Sequence, residues 1–265
     1  MKITSNENEK LKERFEASLK NELIVTASGG TTFYLSSLCI QYLSFLLRSP
    51  ASTNRGTLLN ILGVSVCSLT TIVVVDASVQ RKFKGPLVFG KNLWDQIIAA
   101  SATITMGGMI FKLLGGKSGS LLVSDYCLPG AFANRAGAVP ANGTNYAEQR
   151  EKGAINMVGK LFGCHTCGDK NAGAYIGDHM PPNKYAKQEN SKWYRMIFNG
   201  KLDVRQYFYP QCLPCSQVQS KAVNLKWRPL KLNFKSFRAY HLSGVLIGMW
   251  WYGSWIPLTM IDFYF

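Results

Sequence analysis

A chain of 265 residues that is 47% hydrophobic and only 17% charged lies below the roughly 25% charge usual in soluble domains. Its apolar residues gather in long uncharged runs, which excludes an evenly patterned soluble globule. A net charge of +15 has to sit mainly outside lipid, where it favours a polyanion or an anionic lipid surface as neighbour.

Segment 1–22 is polar and mixed in charge, with Leu11, Phe15 and Leu19 at every fourth position, as on one face of a short helix. Its five glutamates fit neither a mitochondrial presequence nor a secretory signal, so it reads as an amphipathic, solvated or interfacial lead-in. Region 23–116 holds three apolar runs. The first, 23–47, is long enough for the hydrocarbon core, which takes about 20 helical residues, and it is closed by Arg48 and Pro50. The second, 56–75, lies between Arg55 and the charges Asp76, Arg81, Lys82 and Lys84. The third, 96–116, contains Gly107 and Gly108 and spans only if Lys112 snorkels; a re-entrant or interfacial helix is the competing reading. Cys39 and Cys67 lie in these runs and read as small hydrophobes.

Residues 117–158 are rich in Gly, Ala and Asn without a steady period and read as a linker with one short helix near 148–158. After segment 159–225 a basic juxtamembrane stretch, 226–238, leads to a fourth run, 239–262. That run carries Trp250, Trp251, Tyr252 and Trp255, rings that favour a membrane interface, and opens with His241, read as interfacial; a buried soluble helix is the alternative. If the third run only dips into the membrane, the basic clusters 1–20, 81–91 and 226–238 share one face, which is the arrangement the charges favour. The sequon Asn142-Gly143-Thr144 argues the other way, but a three-residue match is weak.

The chemistry sits in 159–225. Gly163-Cys164-His165-Thr166-Cys167-Gly168 has the form of a zinc knuckle, two thiolates chelating one ion across a tight turn. Cys212-Leu213-Pro214-Cys215 supplies the second pair. Four thiolates close a tetrahedral structural Zn²⁺ site, and because thiolates persist best under reducing conditions the module is expected on a reducing side. A redox Cys pair is the alternative. His165, inside the knuckle, is expected to point to solvent.

Between the pairs lies Asp178-His179-Met180-Pro181-Pro182-Asn183. Cys-x-x-Cys, then Asp-His followed by Pro, then Cys-x-x-Cys resembles the HNH nucleases, most of all their endonuclease VII-like branch, over roughly a quarter of the chain. The resemblance implies a treble-clef zinc fold with His179 as general base and Asp178 holding a catalytic Mg²⁺ or Mn²⁺. Where the family commonly has Asn or His after the last Cys, this chain has Ser216, a weak ligand; Gln217, Gln219 or Asn183 are the substitutes at hand. The alternative for His179 is a group bonded to a zinc-bound thiolate. The Asp-His-His-Cys palmitoyltransferases are excluded, because Met180 and Pro181 stand where a His and the nucleophilic Cys are needed.

From Lys160 to Arg238 there are 14 Lys and Arg against four Asp and Glu. Lys184, Lys187 and Arg195 are the candidate phosphate-binding cations, with Lys192, Lys201 and Arg205 nearby, interleaved with Tyr185, Trp193, Tyr194, Tyr207, Phe208 and Tyr209. Such mixing suits nucleic acid; it equally suits a solvated face over a small core. The expectation is therefore an α-helical membrane protein of three or four transmembrane helices with a small α+β treble-clef zinc domain. It is either a membrane-tethered nuclease or a catalytically inactive module for interaction or assembly. Membrane lipid, nucleic acid and other membrane subunits are the partners such a chain would meet.

Overall fold

The computed structural model describes residues 5–83, 92–141, 145–197 and 203–261. Residues 84–91 of the basic cluster 81–91, the sequon 142–144, Lys201 and the aromatic end 263–265 lie outside the described residues. The chain divides into two compact units, one formed by 1–39, 61–117 and 238–265, the other by 40–60 and 118–237.

Helices dominate. Helix α1 runs Ser5–Leu46, α2 Asn54–Phe83 and α3 Leu93–Leu113. Within them Phe15–Leu46, Asn54–Val79 and Leu93–Leu113 are long and apolar enough to cross a membrane. The polar lead-in is thus continuous with the first apolar run instead of forming a short helix of its own, because no Pro or Gly interrupts the sequence before Gly29. Beyond Leu46, Arg48 takes a left-handed φ of 47° and Pro50 cannot continue a helix. The Thr53 hydroxyl then accepts the Gly56 N–H at 3.0 Å and starts α2. The third run, expected to be short, is an unbroken helix of 21 residues. The fourth forms α8, Ser243–Ile261, whose side chains from residue 254 on lie outside the description.

In the first unit the interior is made by Phe33, Ile72 and Ile247, all fully buried. Large apolar side chains such as Ile61, Leu62, Val73 and Ile98 stay exposed, the pattern of helices whose surroundings are themselves apolar. Two buried hydroxyls on these helices bond their own backbone, Ser68 to Val64 at 2.8 Å and Thr71 to Cys67 at 2.7 Å, which satisfies both donors. Cys67 is buried as expected, whereas Cys39 faces outward. His241, expected at an interface, is buried, with the rings of Tyr34 and Tyr240 at 5.5 and 4.4 Å. Helices α1 and α8 approach at Gly29 and Gly244, where a side chain on either would run into the other's carbonyl oxygen.

The second unit joins 40–60 to 118–237, and the stretch that follows residue 117 carries structure of its own. Leu121, Leu122 and Val123 are fully buried, and strand β1, Ser124–Asp125, pairs with β5, Leu230–Lys231. The α1–α2 turn belongs to the same unit: the Ala51 N–H donates to Val123 O at 3.0 Å and the Leu121 N–H to Asn60 Oδ1 at 3.0 Å. Strand β2, Val139–Pro140, joins β4, Tyr207–Gln211, which pairs antiparallel with β3, Ile176–Met180, in the order β2-β4-β3. Helix α4, Gln149–Phe162, opens on a capping box in which Glu151 accepts the Glu148 N–H at 2.7 Å. It buries Ile155 against Phe208, Tyr126, Tyr175 and the cysteines. Short helices α5, Asn183–Asn190, and α6, Trp193–Met196, fill the insert, and α7, Leu213–Asn224, follows β4.

Gly244→Val is expected to force α1 and α8 apart and to cost about 1–3 kcal/mol, the usual penalty of overpacking. A lowered melting temperature of the detergent-solubilised chain, with Gly253→Ala as the open-space control, checks it.

Candidate metal centre

The four cysteines come from two places that the hairpin draws together. Cys164 and Cys167 lie in the turn after α4, while Cys212 precedes α7 and Cys215 lies in its first turn. The turn is closed by Gly168 N–H to Cys164 O and Cys164 N–H to Asp169 O, both 2.8 Å. Gly168 has a φ of +78°, a left-handed conformation that favours glycine, and the Phe132 ring lies under it. His165 N–H donates to Pro210 O at 2.8 Å and ties the turn to β4.

The ligand atoms all lie within 4.8 Å of one another, and Cys167 Sγ stands 3.7 Å from Cys212 Sγ. That is far outside a disulfide and matches the edge of a tetrahedron with ~2.3 Å metal–sulfur bonds, roughly 3.8 Å. All four are free thiols; Cys164, Cys212 and Cys215 are buried and Cys167 is half-buried. Donation from Cys167, Cys212 and Cys215 holds the Cys164 thiol well below the usual range, and the same crowding pushes Cys215 up. Crowded thiolates repel one another, and a bound cation such as zinc would relieve that repulsion. Among the described residues this is the one grouping of three or more His, Cys, Asp and Glu that can hold a metal.

Asp178 and His179 are neighbours on β3, so their side chains leave opposite faces of the strand. Asp178 is paired with Tyr209 and His179 with Phe208 across the ladder. The Asp178 side chain is 10% exposed, and both oxygens are engaged: Oδ2 lies 3.0 Å from His165 Nε2 and Oδ1 accepts from Gln219 Nε2 at 2.7 Å. Burial raises its pKa, against the pull of the His165 and Gln219 hydrogen bonds. His165, expected to face solvent, is 1% exposed. Its Nδ1 accepts the Gly130 N–H at 3.1 Å, which assigns the ring proton to Nε2, donated to Asp178. Gln211 extends the set through Thr166 Oγ1 at 3.1 Å. The cause of the missed burial is Gly130, which lets its backbone pack on the His165 carbonyl where any side chain would collide.

His179 is 8% exposed. It donates from Nε2 to Asn145 O at 2.9 Å and packs 4.5 Å from the Phe208 ring. Ser216 is half-buried in the first turn of α7, its N–H bonded to Cys212 O. Of the substitutes for it, Gln219 reaches Asp178, Asn183 instead accepts from Gln206 Nε2 at 2.8 Å, and Gln217 is exposed. The spacing of Gln219 one turn beyond Cys215 was the signal for its place. Among the phosphate-binding candidates, Lys184 caps the end of α7 through Val223 O at 3.1 Å, Lys187 is exposed, and Arg195 is half-buried beside the Tyr194 ring. Phe208 and Tyr209 are core residues, whereas Trp193 is exposed.

Comparison of the chain with protein families, with curated proteins and with solved structures gives no match.

Two outcomes follow from this geometry. The purified chain is expected to carry one metal ion, and Cys215→Ser to lose it; elemental analysis checks both. His165→Ala leaves the Asp178 carboxylate short of a donor in a buried place and is expected to cost about 3 kcal/mol, read as a lowered unfolding midpoint with metal content unchanged.

Proposed function

We propose that the chain is a membrane-anchored protein whose four cysteines hold a structural zinc ion in a treble-clef module of the HNH, endonuclease VII-like kind, and that this module binds a partner without cleaving it. The order knuckle, hairpin, helix bearing the second cysteine pair supports the treble clef. The engagement of Asp178 carries the second half of the reading. A carboxylate that holds a catalytic Mg²⁺ keeps oxygens open toward water and substrate phosphate. Here one oxygen is bonded to His165 of the knuckle and the other to Gln219 of α7, so Asp178 works as a brace between three elements. Ser216 adds a hydroxyl where a firm ligand would be needed. The module is then an interaction or assembly unit, with nucleic acid or another membrane subunit as its partner class.

A second reading, a metal-dependent phosphodiesterase, rests on His179. Its ring is packed against Phe208 and oriented by the Asn145 carbonyl, and a general base needs such a fixed orientation.

Plasmid nicking by the purified full chain with Mg²⁺ or Mn²⁺ separates the two. The binding reading expects no nicking above that of His179→Ala, alongside one zinc per chain. Nicking that needs a divalent ion and disappears in both His179→Ala and Asp178→Ala establishes the phosphodiesterase instead.

A further inference from the structure

From Val204 to Ile261 the chain contains no Asp or Glu, yet seven Lys and Arg. Within this stretch, residues 225–237 leave α7 and cross the second unit without forming a helix. Helix α7 ends at Asn224, and just beyond it Lys226 has a left-handed φ of 53°, with the Trp227 N–H bonded back to Ala222 O at 2.9 Å. That turn sets Trp227 outward, 57% exposed, and Phe234 and Phe237 follow at 41% and 53%. Lys226 and Lys235 are exposed among these rings. Three large rings in the open are costly in water unless something apolar covers them.

The backbone beneath is pinned, and what pins it is informative. Asn233 is buried, and its N–H donates to Gln41 Oε1 at 2.7 Å, near the C-terminal end of α1. Its Nδ2 reaches Ser124 Oγ at 3.2 Å. The Arg228 carbonyl accepts from Arg48 Nη2 at 3.0 Å, in the turn that joins α1 to α2, and the Arg228 guanidinium lies 3.3 Å from Asp125 Oδ2. The strip is thus hydrogen-bonded to the turn at which two helices able to cross a membrane meet. A turn closing two spanning helices emerges at the headgroup layer, where tryptophan rings settle and cations meet anionic lipid.

We propose that residues 225–237 form a headgroup-binding strip for anionic phospholipid, with Trp227, Phe234 and Phe237 entering the interface and Lys226 and Lys235 pairing with lipid phosphate or carboxylate. The strip places the α1–α2 turn and the cysteine module on the same membrane face. It does not depend on whether the module cleaves or only binds.

The test uses the full chain in nanodiscs of phosphatidylcholine with and without phosphatidylserine. The Trp227 signal is the difference in fluorescence between wild type and Trp227→Phe. Brominated phosphatidylserine is expected to quench it more than brominated phosphatidylcholine, and Lys226→Gln/Lys235→Gln to lower that preference by roughly fivefold for each cation removed. Unchanged metal content and helical circular dichroism show the variants to be folded. Equal quenching by both lipids, or none by either, overturns the proposal. So does a single-stranded oligonucleotide that shields Trp227 in phosphatidylcholine alone, which would make the strip a nucleic-acid surface.

Discussion

The second unit depends on four sulfurs meeting at one point. Two of them sit in a turn and two at the start of a helix, with 44 residues between the pairs, and closing so long a loop carries an entropic penalty that the few short strands cannot offset alone. Strand β2 pairs over two residues only, and the hairpin β3–β4 over five. Metal coordination by these thiolates would be strong enough to hold such a unit, and in structural sites of that kind binding free energy is folding free energy. The hydrophobic cluster of Ile155, Tyr175 and Phe208 packs directly against the cysteines, so a metal held there would be coupled to the core.

The buried polar chain from Gln211 through Thr166, His165 and Asp178 to Gln219 adds specificity to that coupling. Each bond joins a different pair of elements: β4 to the knuckle, the knuckle to β3, and β3 to α7. A buried carboxylate without these donors would be strongly destabilising, so the network fixes one arrangement of hairpin and helix around the metal. The strand sends Asp178 toward the knuckle and helix and His179 toward the Asn145 loop and Phe208, and only one of these environments contains the metal ligands.

Much of this was legible in the residues themselves. The Cys-x-x-Cys pairs announced the metal cluster because their spacing is chemistry, independent of distant contacts. The apolar runs announced α1, α2 and α3 because length and lack of charge are local properties. Three features were not legible, each for a long-range reason. Residues 117–127 look like linker, since their burial comes from pairing with residues 51, 60 and 230–231, and strands of two residues leave no period to read. The burial of His165 depends on a glycine 35 positions away. The continuity of the lead-in with α1 was hidden by its glutamates, which suggest an independent polar helix although nothing in the backbone breaks the turn of the chain.

The placement of the α1–α2 turn in the same unit as the cysteines also bears on the charge pattern. The reading that puts all basic clusters on one face needs the third run to stop short of crossing, yet α3 is an unbroken helix of sufficient length. The two basic segments also differ in composition. The glutamates of the lead-in dilute its positive charge, whereas 204–261 has no acid at all. If one of the two clusters is to be set by contact with an anionic leaflet, the undiluted one has the stronger physical claim.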